Sequence, residues 1–250
     1  MARKDLSLGY PLCLAGLVIG LLALVIAAAQ GPGYRLGWWG LSTVFRTVYP
    51  LVVGLGALAV VMGIITALLR VRYRFKGIAL ALVGIIAGAA GAAVPVSMRH
   101  VAGQLPVIHD ITTSTVDPPA FVAIAPLRAD ASNPVEYAGE PVASQQRDAY
   151  PDLQTIRIRQ PREQVFEAAL AVVAELGWEL HASVADEGRI EATERTLWFG
   201  FYDDVVIRIR GTDSVTEVDV RSKSRVGQSD LGVNAKRIRI FRDLLLSRVT

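Results

Sequence analysis

Residues 51–98 read LVVGLGALAVVMGIITALLRVRYRFKGIALALVGIIAGAAGAAVPVSM, two long apolar runs on either side of a short, strongly basic loop. The runs, Leu51–Leu69 and Gly77–Met98, contain no charge, and neither does an earlier run, Leu12–Ala29 (LCLAGLVIGLLALVIAAA). Each is about the length that crosses a hydrocarbon core of ~30 Å. Three charge-free helices of this length have no place to hide in a soluble domain of this size. A cleaved signal peptide competes for the first run alone, behind the basic start MARKD. That run is long for a signal, and its end, AAAQG, is a mediocre cleavage site. The reading is three transmembrane helices within residues 1–98.

Basic residues orient the spans. Arg3 and Lys4 precede the first, and the loop RVRYRFK carries Arg70, Arg72, Arg74 and Lys76. The loop between the first two spans has only Arg35 and Arg46. The positive-inside rule then places the N-terminus and RVRYRFK in the cytoplasm. Three spans deliver the C-terminal part to the other side, the periplasm in a Gram-negative cell, so the expected location is the inner (plasma) membrane. Tyr34, Trp38, Trp39, Phe45 and Tyr49 in the outer loop are residue types that settle at headgroup level. Gly16 with Gly20 and Gly84 with Gly88 form small-xxx-small pairs, which either pack the three helices together or make a homo-oligomer contact. Pro95 is expected to end the third helix or kink its last turn.

The formal net charge of +3 misleads as a single number. Residues 1–98 hold eight basic and one acidic residue, which leaves eighteen basic and twenty-two acidic for 99–250, or −4. The basic balance is a topology signal and gives no support to nucleic-acid binding. The single cysteine, Cys13, lies in the first span. The soluble part therefore has no disulfide, thiol nucleophile or cysteine metal site. His100, His109 and His181 have no ligand spacing, so no metal or cofactor is expected.

Residues 99–154 are rich in prolines and turn formers. The stretch LRADASNPVEYAGEPVASQQRDAYPD shows no apolar period and reads as extended chain partly wrapping the domain, not as a packed element. A loop this long is unusual unless it has a role. From 155 to 250 the pattern sharpens. Thr155–Arg159 is a short strand, and Pro161 opens a helix at its first position. Val165, Ala169, Val172 and Leu176 form that helix's stripe, and Gly177 ends it. Trp178, Leu180, Ala182 and Val184 alternate with Glu179, His181 and Ser183 as a half-buried strand, leaving His181 exposed. RIEATER, VVIRIR and VTEVDVRSKSR follow as an antiparallel meander, with a GTDS turn before the last. A final helix carries Leu231, Ala235, Ile238, Phe241 and Leu245 on one face. The expected fold is membrane-anchored α+β, three spans followed by a two-layer β-α-β-β-β-β-α domain with both helices on one face of the sheet.

Two polar features stand out. Glu217, Asp219, Arg221, Lys223 and Arg225 share one face of the last strand, read as a solvated charged face, with an anion-recognising surface as the sharper alternative. Arg225, Asp230, Asn234 and Arg237 lie in one strand-turn-helix corner. Ser229 or Asp230 can cap the helix. Asn234 is expected to bond the loop near Ser229, and Arg237 to pair with Asp204 or Asp230. Structural and ligand-binding readings of this corner both stand, the structural one preferred.

The phrases IHDITTSTVDPPAF (108–121), YPDL (150–153), FYDDVVIRIR (201–210) and VDVRSKSRVGQSDLGVNAKRI (218–238) resemble the bacterial and plastid family known as domain of unknown function 1499, in the family's order. The resemblance covers about 108–246, and the three-span N-terminus looks like that of some bacterial members. The family's pattern falls on His109, Asp110, Thr112, Pro118, Pro119 and Phe121, then Asp203, Asp204 and Val205. It continues through Arg221, Ser222, Ser224, Arg225, Gly227, Asp230, Gly232, Asn234 and Arg237. The resemblance implies that 108–121 packs on the core, and it brings no assigned activity. The favoured function is a non-enzymatic binding or envelope-assembly module, with the bilayer and an envelope protein or lipid as partners. The alternative is an enzyme acting on an envelope substrate, its site drawn from His109, Asp204 and Arg225. Three spans without ionisable residues leave little to line a transport path.

Overall fold

The computed structural model describes residues 4–211 and 214–249. Arg3, the Thr212 and Asp213 of the GTDS turn, and Thr250 lie outside the described residues. The chain divides into two compact units, Met1–Val101 and Ala102–Thr250.

In the first unit a two-residue strand β1 (Lys4–Asp5) precedes helix α1 (Gly9–Arg35). A short helix α2 (Leu41–Thr43) runs through a π turn (Val44–Val48) into α3 (Tyr49–Arg72). Strand β2 (Tyr73–Arg74) pairs in parallel with β1, and α4 (Ile78–Ala102) follows. Three helical segments are long and apolar enough to cross a membrane, Gly9–Arg35, Leu41–Arg72 and Ile78–Ala102. The chain is a multi-pass membrane protein. Its glycine faces meet within the chain. A Cβ on Gly20 would stand 2.3 Å from the Gly84 carbonyl oxygen, and one on Gly56 would stand 2.5 Å from that of Gly88. Of the two uses expected for these faces, the structure shows the first, helix packing at backbone-to-backbone distance. The helix does not end at Pro95 but continues to Ala102. The proline costs one backbone bond, and a membrane-spanning helix tolerates that loss when neighbours pack around it.

The second unit holds a six-stranded antiparallel sheet in the order β3-β8-β7-β6-β5, with β4 also on β8. Its strands are β3 (Asp110–Thr112), β4 (Ile156–Ile158), β5 (Glu179–Val184), β6 (Arg189–Arg195), β7 (Tyr202–Gly211) and β8 (Thr216–Ser224). The helices are α5 (Glu140–Ala149), α6 (Arg162–Glu175) and α7 (Val233–Val249). β3 and β4 lie end to end along one edge of β8, at Arg221–Lys223 and Thr216–Val218. The β-α-β-β-β-β-α order runs from β4 to α7 as expected, and β3 is added from upstream.

Period-2 alternation decides the layers. Val205, Ile207, Ile209, Val218 and Val220 face α6 and α7. Against them pack Val165, Phe166, Ala169 and Val172 of α6, with Ala235, Ile238, Phe241 and Leu245 of α7. Trp178 stacks on Phe241 with ring centroids 6.0 Å apart, tying the start of β5 to α7. Gly177 takes φ +67° after α6, the left-handed conformation that closes a helix.

Several local expectations change. Pro161 is the residue before α6, whose first helical residue is Arg162. Leu231 precedes α7 with φ +53°, so it is not part of that helix's face. Leu180 is 50% exposed because β5 is an edge strand whose register shifts between Leu180 and Ala182. The residue in between, His181, is half-buried, and its Nε2 lies 2.9 Å from Thr193 Oγ1. The stretch read as loop contains α5. Its buried residues are only Ala143 and Gln146, too few to print an apolar stripe. Gln146 acts as a substitute strand. Its Oε1 accepts from the Thr112 amide at 2.9 Å and its Nε2 donates to the Thr112 carbonyl at 2.6 Å.

Candidate functional site

The second face of the sheet is covered over most of its area, with Glu217 and Arg225 half-buried and Arg210 exposed at its margins. Glu191 and Thr193 of β6, Asp204 and Val206 of β7, Asp219, Arg221 and Lys223 of β8, and Asp110 of β3 are all buried. This corrects the expectation of an exposed charged face. The physical reason is the segment 113–137, which lies across these side chains and supplies backbone partners. Phe121 and Ile124 from this segment pack on Val206, the apolar centre of this face.

Three carboxylates organise it. Asp110 takes Arg221 in a fork, Nε to Oδ1 at 2.9 Å and Nη2 to Oδ2 at 2.8 Å, and Lys223 Nζ reaches Oδ2 at 2.8 Å. The remaining donors of these cations go to the cover, Arg221 to the Pro119 and Val135 carbonyls and Lys223 to that of Glu136. Phe121 and Tyr137 lie 4.9 and 5.5 Å from the Arg221 guanidinium. Asp204 takes Arg225 in a second fork, at 2.9 and 2.8 Å, plus Arg128 from the cover and the Thr193 hydroxyl at 2.7 Å. Asp219 accepts from Arg208 at 2.8 Å, Arg210 at 2.9 Å and Thr155 at 2.6 Å. Forked arginine–carboxylate pairs are among the stronger polar contacts, and each member here fills further donors or acceptors.

A fourth carboxylate works differently. Glu191 accepts from the backbone amides of Val122, Ala123 and Ile124 at 2.9–3.1 Å, ahead of the 3₁₀ turn Ala125–Arg128. It also pairs with Arg189. One buried glutamate thus pins the middle of the cover to β6.

Burial sets the acid–base character of this layer. It pushes Lys223 below the ordinary lysine value, with Asp110 opposing, and lowers Arg128 likewise, with Asp204 opposing. Burial first, and Asp110 second, push the Tyr137 phenol up to about 12. The hydrogen bonds to Asp204 raise Arg225.

On the helix side a separate cluster forms. Asn234 Oδ1 accepts from the Ser222 hydroxyl at 2.7 Å and from Arg237. Its Nδ2 donates to Ser224 Oγ at 3.0 Å and the His109 carbonyl at 3.1 Å. Arg237 donates to Asp203 at 2.7 Å and Ser222 Oγ at 3.0 Å, and pairs with Glu194. Asp230 accepts from the amides of Gly232 at 3.0 Å and Asn234 at 2.8 Å, capping α7, while burial pushes its carboxyl up. Arg237 therefore pairs with Asp203 and Glu194, not with Asp204 or Asp230. The Asn234 side chain bonds β8 and not the Ser229 loop.

The strand-turn-helix corner is thus split by the sheet. Asn234 and Arg237 join Ser222 and Asp203 beneath α7, Arg225 joins Asp204 and Arg128 under the cover, and Asp230 serves the helix start. His109 Nδ1 lies 3.2 Å from the Gln228 carbonyl, while Arg128, Arg225 and Thr193 take up the Asp204 carboxylate. Pro119 is buried and half-buried Pro118 lines an open depression of ≈ 340 Å³ with Phe121, Tyr137 and Arg221. A second open depression of ≈ 470 Å³ lies along Thr113–Val116, Thr155 and Arg157. Among the described residues no group of three or more His, Cys, Asp or Glu could hold a metal ion. Sequence reading missed Arg128, Glu191 and Gln146, whose roles depend on chain segments far away in sequence.

Apart from the His109 carbonyl, the residues of both clusters fall within residues 110–245, which match the family model described as Protein of unknown function (DUF1499). That is more than half of the chain, and the chain belongs to this family. Comparison with curated proteins and with solved structures gave no match.

Proposed function

We propose that this chain is a membrane-anchored, non-enzymatic module that holds a preassembled α+β domain on the outer face of the plasma membrane, where it binds or helps assemble an envelope protein or lipid. The observation that carries this reading is the state of the charged residues of the family phrases. Asp110, Asp204, Arg221, Lys223 and Arg237 are buried, and their polar atoms are bonded within the domain, to charged or polar side chains or to backbone. They hold the domain to itself and leave its exposed surface for contact. The concentration of Arg70, Arg72, Arg74 and Lys76 in one short loop supports an N-terminus inside and the domain outside.

Two experiments test this. Alkaline phosphatase fused to the C-terminal end should be active in a bacterial host, and an inactive fusion beside a working cytoplasmic reporter would reverse the orientation. Purification of the intact membrane protein, with lipid and protein mass spectrometry, should recover a specific envelope component. Turnover of an envelope substrate by the purified protein would overturn the non-enzymatic reading.

A further inference from the structure

The hairpin between β6 and β7 ends in the loop Thr196–Phe201. Thr196 closes it, donating its amide to the Phe201 carbonyl at 2.8 Å and accepting from the Gly200 and Phe201 amides at its carbonyl and hydroxyl. Gly200 takes φ +70°, which an L side chain rarely adopts. Phe199 is buried and stacks on Phe201 at 5.0 Å. The loop is therefore fixed from within, and the two residues it turns outward are Leu197, 92% exposed, and Trp198, 49% exposed. A large aliphatic and an indole side by side on a fixed tip are a costly thing to show to water.

The tip lies at a particular end of the sheet. The last rungs there are Arg195 with Tyr202, Asp203 with Ser224, and Asp110 with Lys223. The Ser224 amide donates to the His109 carbonyl at 3.0 Å, so the chain arriving from α4 enters the sheet at this same end. Only residues 103–109 separate α4 from β3. Seven residues fully extended reach about 25 Å at most. Strands lie about 4.8 Å apart, which puts the tip two to three strand spacings from the point of entry. Val107, on that short connection, is also exposed. Beside the tip, the guanidinium groups of Arg195 and Arg225 lie 5.2 and 5.1 Å from the Tyr202 ring. Tryptophan, tyrosine and arginine together are the residue types that favour the headgroup zone.

We propose that the Leu197–Trp198 tip inserts into the headgroup–acyl boundary of the bilayer that holds the three spans, a second, non-covalent attachment of the domain to its own membrane. The occupant is lipid because only seven residues join this end of the sheet to the third membrane-spanning helix, and the tip combines apolar insertion with basic and aromatic flanks. The inference does not depend on the binding-module reading above.

The test uses the full chain in nanodiscs of phosphatidylcholine and phosphatidylglycerol, one protein per disc. The Cys13→Ala background leaves no other thiol. Leu197→Cys and, as control, Val116→Cys are labelled with the fluorophore NBD. Both positions are more than nine-tenths exposed, so neither label enters the core. Position 197 is expected to be quenched several-fold less by iodide than position 116, and to be quenched by shallow doxyl-labelled lipid while position 116 is not. Equal iodide quenching at the two positions would overturn the proposal. So would shielding from iodide at 197 without lipid quenching, since that would place protein, not lipid, over the tip.

Discussion

Asp203 and Asp204 are neighbours in the chain and are held by opposite layers of the domain. Asp203 faces α7 and takes Arg237, whereas Asp204 faces the cover and takes Arg128 and Arg225. The alternation of a single strand thereby ties the last helix and the covering segment to adjacent rungs of β7.

Replacing Asp204 tests the cover side. Asp204→Asn leaves the buried Arg128 and half-buried Arg225 guanidinium groups facing a neutral amide, and breaking a buried ion pair from one side costs about 3–5 kcal/mol. Urea melts of the unit 102–250 should show a loss of that size. A parent-like midpoint would mean that water or a shifted cover compensates.

That unit is itself expected to fold alone, as a soluble monomer of mixed helix and sheet. Its core, from Ile108 to Val249, is drawn wholly from its own residues. Circular dichroism and sedimentation of residues 102–250 check this, and an unfolded product would show that the spans complete the core.

On the helix side, Asn234→Ala and Arg237→Ala each strand buried partners, Ser222 and Ser224 in the first case and Asp203 in the second. Each is expected to destabilise the unit by about 1–3 kcal/mol. If both variants melt like the parent while cells carrying them lose the phenotype of a gene deletion, the corner acts on a ligand instead.

Glu191→Gln keeps the shape but turns one acceptor into a donor facing backbone N–H groups. The middle of the cover should loosen, with faster amide hydrogen exchange at Val122, Ala123 and Ile124 and a stability loss of about 1–3 kcal/mol. Unchanged exchange at these three amides would show that Phe121 and Ile124 hold the cover without the carboxylate.

Tyr137 gives a pH signature. Its phenol ionises near 10.0 when free and at about 12 in the folded protein. Between those values the unfolded chain loses a proton that the folded one keeps, so stability falls as pH rises through this window. Tyr137→Phe should be parent-like at pH 7, because its hydroxyl has no hydrogen-bond partner among the described residues. The variant should then lose less stability than the parent above pH 10, and identical slopes in that range would refute the shift.

The spans and the β-α-β-β-β-β-α order were legible because their signals are local, length without charge in one case and apolar periodicity in the other. The charged face was legible as a face but not as a buried one. Asp219, Arg221 and Lys223 alternate identically whether water or protein lies above them. The cover leaves little trace of its role, because it meets Arg221 and Lys223 through the carbonyls of Pro119, Val135 and Glu136, which any residue carries. α5 escaped notice because its inward side is one alanine and one glutamine. The corner reads as one site in the sequence because proximity along the chain hides which side of a strand each residue takes.

The short β3 strand also decides how the domain meets mechanical force. Drag on the membrane-spanning helices travels along residues 103–109 and reaches the sheet at the His109 carbonyl and then Asp110. That residue is clamped to Arg221 and Lys223 on the neighbouring strand and flanked by the core residues Ile108 and Ile111, so tension loads the electrostatic clamps and the edge of the apolar core together. β4 grips the same strand farther along, closing the cover into a clasp fastened at both ends. A pull that opened the first fastening would peel the clasp back from Arg221 and draw on α7 as well, whose Asn234 holds the His109 carbonyl.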